Sequence, residues 1–285
     1  MNSLIWNWEI AVYLFLGGMS AGLMILSCLR SAHSRPERLL PFFSVLILSV
    51  GMAALFLDLA FKTHVYRFYL AFQWKSPMSW GSWILLAIYP AALLFGLTRV
   101  KEIEITRVTP AALLRMIHFA RRWAISHEAT LKKINLFLGI ALGIYTGILL
   151  SSLGRPAWNS AVLGPLFLVS GFSAGAAMLT LFTEENSLHR WETHAIAAEL
   201  GLILLYIFGL TRIGNPDGST PADLFLGGRL TAIFWVFTVL IGLCLPFVMG
   251  KILRPPIGSY RFLGASFVLV GSFSLRWIVV MAGQS

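Results

Sequence analysis

The chain has 285 residues, of which 58% are hydrophobic and only 12% charged, with a mean hydropathy of +0.79. Soluble domains carry about 25% charged residues, so this composition excludes an ordinary soluble fold and points to an integral membrane protein. The net charge of +10 is not a nucleic-acid signal, because most Lys and Arg fall in connections on one side of the predicted spans.

A membrane-crossing helix needs about 20 predominantly apolar residues. Eight such runs occur, at 10–29, 39–61, 79–97, 134–153, 160–182, 195–211, 230–249 and 262–282. The fold class is therefore all-α integral membrane, with eight transmembrane helices and both termini on one side. The connections at 30–38, 98–133, 183–194 and 250–261 carry 15 Lys and Arg, whereas those at 62–78, 154–159 and 212–229 carry 6. By the positive-inside rule the first set is cytoplasmic and both termini are periplasmic, in a bacterial inner (cytoplasmic) membrane. Cys28 and Cys244 lie in separate spans without a Cys-x-x-Cys partner, so neither a disulfide nor an iron–sulfur cluster is expected in this protein. No basic segment precedes the first span, and a cleaved leader is not expected.

Taken in order, the sequence opens with Trp6 to Gly22, which brings polar groups to the outer edge of span one. Glu9 and Tyr13 are four residues apart and share one helix face. Gly18 and Gly22 form a Gly-x-x-x-Gly step, which lets another helix approach closely. The 98–133 connection is too long for a turn. Within it, Ala111 to Trp123 sets Leu113, Leu114, Met116, Ile117 and Phe119 among Arg115, Arg121 and Arg122. That pattern fits either an amphipathic helix on the cytoplasmic surface or a solvated basic linker. Span four carries Gly139, Gly143 and Gly147 in a ridge that predicts close packing, with Tyr145 between them.

Gly18-Met19-Ser20-Ala21-Gly22 in span one recurs as Gly171-Phe172-Ser173-Ala174-Gly175 in span five. The recurrence predicts a duplicated four-helix unit in parallel orientation, because an even number of spans separates the copies. The expected organisation is a first four-helix bundle from 1–97 and 134–153, the 98–133 linker, and a second bundle from 160–285.

Ionisable residues inside spans are costly unless they face protein or a water-filled cavity, so each is a candidate for function. Glu9, Tyr13, Asp58, His64, Tyr145 and Arg276 are all predicted in the outer half of the membrane. Such a cluster suits a quinone head group, with Tyr hydroxyls bonding its oxygens and Glu9 or Asp58 exchanging its protons. The plainer alternative is an Asp58–Lys62 ion pair with Glu9 standing in interfacial water. Glu199, with His194 and the acids Glu184 and Glu185 nearby, marks either an inner proton path or a set of loop-edge residues. Haem is not expected, because the six His lie in loops or at span ends, without facing pairs at matched depth.

Trp8-Glu9-x3-Tyr13-Leu-Phe-Leu-Gly-Gly-Met-Ser-Ala-Gly22 resembles the opening signature of the NrfD/PsrC family, the membrane subunits of polysulfide-, nitrite- and arsenate-type respiratory complexes. Further stretches agree: Asp58-Leu59 with Arg67-Phe68; Ser76-Pro77-Met78-Ser79-Trp80-Gly81; Gly143-Ile144-Tyr145-Thr146-Gly147; and Arg276 through Gln284. The resemblance implies two four-helix bundles that bind menaquinol or another quinone near the outer face. It implies electron exchange with a periplasm-side, ferredoxin-like iron–sulfur subunit, and through it with a catalytic subunit that often holds a molybdopterin. The family's quinone-site positions fall on Glu9, Tyr13 and Tyr145. Some members carry Asn and His where Glu9 and Tyr13 stand here, a chemical departure that alters the hydrogen-bonding pattern. Two rival classes remain on sequence grounds: an ion-coupled secondary transporter and a passive membrane anchor. A transporter would place its site at the midplane, between spans visibly broken by Gly or Pro, and neither feature is evident here.

Overall fold

The structure is a computed structural model that describes residues 6, 8–58, 73, 76–102, 111–183, 186–214, 219–252 and 259–284. Among these residues the secondary structure is helical throughout. Eight helices are long and apolar enough to cross a membrane. They are α1 (Trp8–Leu29), α2 (Arg35–Asp58), α3 (Pro77–Arg99), α5 (Glu128–Ser151), α6 (Leu163–Thr180), α7 (Asn186–Leu210), α8 (running on from Thr231–Ile233) and α9 (Ser259–Ala282). An extra helix, α4 (Ala111–Ser126), occupies the long connection. Its Leu113, Met116, Phe119 and Trp123 are exposed, as are Arg115 and Arg122. An exposed apolar stripe beside arginines is the pattern of an interfacial helix.

Local chemistry sets the helix boundaries. Ser34 and Glu37 form a capping box at the start of α2: the Ser34 N–H donates to Glu37 Oε2 (2.9 Å), and the Glu37 N–H donates to Ser34 Oγ (3.4 Å). Arg30 closes the turn before it through an ion pair to Glu37 Oε1. α3 begins with Pro77 in its first turn, where the missing N–H is no loss. Farther along, the Ala91 carbonyl accepts a bond from buried Asn135 of α5 (2.9 Å), which ties the two helices together. α8 passes from an α-turn into a π-helix over Phe234–Cys244 and returns to α-helix at Leu245–Ile252.

The helices α1, α2, α3 and α5 touch in a ring, and α6, α7, α8 and α9 form a second. The rings meet chiefly where α1 packs on α6, at the recurring glycine motif. A Cβ on Gly22 would overlap the Gly171 carbonyl, one on Gly171 would overlap that of Gly18, and one on Gly175 would press on the Gly22 backbone. The two copies of the motif therefore pack against each other, which only residues without side chains permit. The predicted ridge on α5 behaves similarly: Gly139 meets Ala21, Met24 and Ile25 of α1, Gly143 meets Leu168, and Gly147 meets the backbone of Leu163 and Gly164.

The two ends of the protein meet at one face. The Trp6 N–H donates to Gln284 Oε1 (2.8 Å), and Gln284 Nε2 donates back to the Trp6 carbonyl (3.0 Å). Trp6 stacks on Trp158 at 5.1 Å between ring centroids, and the Trp158 indole N–H donates to the Val279 carbonyl (2.6 Å). Both termini and the 154–159 connection thus lie at the same end of the molecule, as the span count requires.

Candidate functional site

The cluster at the end of the bundle that holds both termini is assembled by antiparallel packing of α1 with α2 and α5. Gly51 of α2 sits against Leu16, the Tyr13 carbonyl and Gly17. Two turns beyond Gly51, the last residue of α2 is Asp58, which is level with the start of α1. Glu9 is there, in the first turn, where a carboxylate complements the helix dipole. Both carboxylates are half-buried, and they are near enough for the charge of Glu9 to act on Asp58. Glu9 Oε2 is shut off from solvent with no hydrogen-bond partner among the described residues. Tyr13 is buried one turn inward.

Tyr145 approaches from α5. Counting outward from the contact of Gly139 with Ala21 to Ile25 places Tyr145 level with about residues 15–19 of α1, roughly a turn inward of Tyr13. Its ring is buried, and a Cβ on Gly81 would overlap its ring and hydroxyl. No hydrogen bond to that hydroxyl occurs among the described residues, although a buried phenol normally has one. Gly81, in the sequence stretch that opens α3, thus turns out to be the seat of Tyr145. His64 and Lys62 lie outside the described residues, as do Glu184 and Glu185.

Arg276, the remaining residue of the predicted cluster, is held by protein groups. It is fully buried, and its guanidinium is occupied by protein acceptors from three helices. Nε donates to the Leu14 carbonyl (3.0 Å), Nη2 to the Phe167 carbonyl (3.1 Å), and Nη1 to Ser170 Oγ (3.0 Å) and to Ser272 Oγ (2.6 Å) and its carbonyl (3.0 Å). It also stands 5.2 Å from the Phe167 ring centroid. Gly18 leaves the room it needs, since a Cβ there would overlap Nη2. Glu199, 1% exposed, accepts a bond from Ser173 Oγ (2.9 Å). The Ser170 hydroxyl also faces the Glu199 carboxylate, and the Arg276 charge acts on it. Arg276 and Glu199 therefore belong to one buried hydroxyl-lined network among α6, α7 and α9. His194 is not part of it. Five residues along α7 put His194 about 140° around the helix from Glu199, and its exposed ring donates through Nδ1 to the Arg190 carbonyl (2.6 Å).

A family model described as Polysulphide reductase, NrfD matches residues 1–285. The chain belongs to the NrfD family. It is 29% identical to the C subunit of polysulfide reductase from Wolinella succinogenes over 307 aligned positions, spanning 100% of this sequence and 96% of the relative. It is 30% identical to the NrfD homolog of Haemophilus influenzae, over 99% of this sequence and 95% of that one. Protein NrfD of Escherichia coli is 29% identical, with 99% and 96% covered. Family membership and eight apolar helices together make this a multi-pass membrane protein. No group of three or more His, Cys, Asp or Glu suited to a metal occurs among the described residues.

The serine pair Ser170 and Ser272 is not among the residues that sequence singles out, although it links the network's Arg to its Glu. One signal is present: Ser272 and Arg276 are four residues apart and share a face of α9. Asn135 and Glu37 are likewise found only in the structure. Both are buried polar residues whose partners are backbone groups or a nearby arginine.

Proposed function

We propose that the protein is the quinone-reactive membrane subunit of a respiratory oxidoreductase. The observation that carries this reading is the conjunction of Glu9, Asp58, Tyr13 and Tyr145 at one end of the helix bundle, with a buried carboxylate oxygen of Glu9 left without a partner among the described residues. The names of the relatives, the polysulfide reductase C subunit and NrfD, support the reaction class. The donor set suits a quinone: phenol hydroxyls that donate to carbonyl oxygens, and carboxylates that take protons from hydroxyls.

A bound menaquinol or related quinol supplies two electrons and two protons. Tyr145, held by Gly81, and Tyr13 orient the head group through their hydroxyls. Glu9 takes a proton at its buried oxygen, and Asp58, at the outer end of α2, passes protons on to outer water. The electrons leave to a periplasm-side ferredoxin-like iron–sulfur subunit and reach a catalytic subunit, of molybdopterin type, that carries the terminal chemistry. Termini facing the periplasm of an inner membrane place the head group and that partner on the same side.

The buried Glu199 favours a second element, an inner proton path, because a carboxylate inside a span with hydroxyls on both sides is the usual substance of a relay.

Quinol oxidation by the intact complex tests the site. Tyr145→Phe with Glu9→Gln is expected to cut turnover by about 10² or more, the scale of a lost general base, while assembly persists. Wild-type turnover in the double variant overturns the assignment. Mass spectrometry of what co-purifies with the tagged protein tests the partners: an iron–sulfur protein and a molybdopterin enzyme are expected, and a stoichiometrically lone subunit would favour a transporter.

A further inference from the structure

Two grooves in the structure play no part in the site above, and the internal repeat relates them. The first, about 670 Å³, lies between α1, α5, α6 and α7, with walls that include Ile25, Ile140, Leu168 and Phe172. Arg190, Trp191 and His194 stand at its end near the start of α7. The second, about 250 Å³, lies between α1, α2 and α6, walled by Leu23, Phe43, Leu179 and Phe182, with Arg35 at its end near the start of α2.

The correspondence follows from residue positions. Ile25 stands seven residues after Gly18 and lines the first groove; Met178 stands seven after Gly171 and lines the second. Arg35 comes seventeen residues after Gly18, and Arg190 nineteen after Gly171. Each groove thus combines an apolar wall from α1 and α6 with one arginine near the start of the second helix of a repeat.

These arginines are exposed, and neither has a carboxylate in ion-pair contact among the described residues. Trp191 and Phe182, 42% and 56% exposed, form outward-facing rims. Both arginines belong to connections of the Lys- and Arg-rich side, where charge balance favours an anion at the membrane surface.

We propose that the two grooves are a matched pair of sites for anionic phospholipid, each holding a phosphate at its arginine and an acyl tail along its wall. Charge complementarity selects this occupant. A neutral quinone head leaves the arginine unanswered, and a soluble anion leaves the apolar walls unused. The basic pocket between transmembrane helices is the kind of place that retains acidic headgroups.

The test uses the intact complex in nanodiscs of phosphatidylethanolamine with phosphatidylglycerol, analysed by native mass spectrometry after detergent release. Two retained phosphatidylglycerol molecules are expected, falling to one in Arg190→Gln or Arg35→Gln and to none in the double variant. Phe172→Trp, which fills the first groove without removing charge, is expected to displace one lipid as well. Unchanged retention in the double variant, or equal retention of phosphatidylethanolamine, overturns the proposal. So does displacement by millimolar inorganic phosphate, which would make the arginines sites for a free anion. The arginines are exposed and remote from the Glu9 cluster, so quinol turnover in these variants reads separately on the function proposed above.

Discussion

Arg276 and Glu199 face one another across the hydroxyl of Ser170 instead of touching. The guanidinium is satisfied by oxygens of Leu14, Phe167, Ser170 and Ser272 from three different helices, whereas the carboxylate takes its bond from Ser173. The arginine is therefore a cross-link between α1, α6 and α9, and the glutamate is a lighter attachment. Removing a buried charged group from such a setting costs about 3–5 kcal/mol. Arg276→Gln is expected to lower the unfolding temperature in detergent much more than Glu199→Gln, which keeps an acceptor for Ser173. Equal shifts would contradict this division of roles. If Glu199 also carries protons, Glu199→Gln in proteoliposomes should lose proton uptake from the inner side while retaining quinol oxidation.

Gly81 gives a sharper probe of the proposed quinone site than removal of any of its polar groups. A methyl at this position meets the Tyr145 ring and hydroxyl and must push them aside. Gly81→Ala is expected to raise the KM for quinol severalfold with normal amounts of assembled complex. Tyr145→Phe in the same protein leaves the overlap with the ring carbons Cζ and Cε1 in place, so affinity is not expected to recover.

The contact between the two glycine motifs predicts an asymmetry among glycines. Gly22→Ala or Gly171→Ala forces backbone against backbone, and is expected to cost about 1–3 kcal/mol as an overpacked core does. Gly201→Ala meets nothing within 4 Å in an exposed helical position, and should be neutral or stabilising by up to about 1 kcal/mol. Thermal unfolding of the three variants in one detergent decides the matter.

Topology is open to direct measurement. With Cys28 and Cys244 replaced by Ser, a single cysteine at Ser152 is expected to react with an impermeant maleimide on whole spheroplasts. One at Arg122 of α4 should react only after the membrane is opened. Both positions are exposed, so burial does not confuse the result. The reverse pattern would invert the assignment of both termini.

The spans are legible in the sequence because membrane burial imposes long apolar runs, and each predicted run overlaps an observed helix. Even the helix in the 98–133 connection begins at Ala111, where its arginines and leucines begin to alternate. The predicted linker is too long at its far end, since α5 starts at Glu128 and absorbs Lys132 and Lys133 in its exposed first turns. Sequence groups Arg276 with the outer cluster because it gives depth and not azimuth. Depth follows from counting along one helix, but the direction of a side chain depends on neighbours distant in sequence. Ser170 and Ser272 are 102 residues apart, and no local pattern brings them together. The pairing of Tyr145 with Gly81 is hidden for the same reason. Their contact joins two motifs that each look like an ordinary helix feature.

The mutual packing of the two glycine motifs also bears on how the sequence is free to change over time. Away from that contact the two motifs already differ: Ser173 of α6 donates to the Glu199 carboxylate, whereas Ser20 of α1 donates to the Ser44 carbonyl. At the crossing that freedom ends. A side chain gained by one copy intrudes on the backbone of the other, so neither half alters its glycines alone. The seam holds two chemically different helix groups to one shared packing.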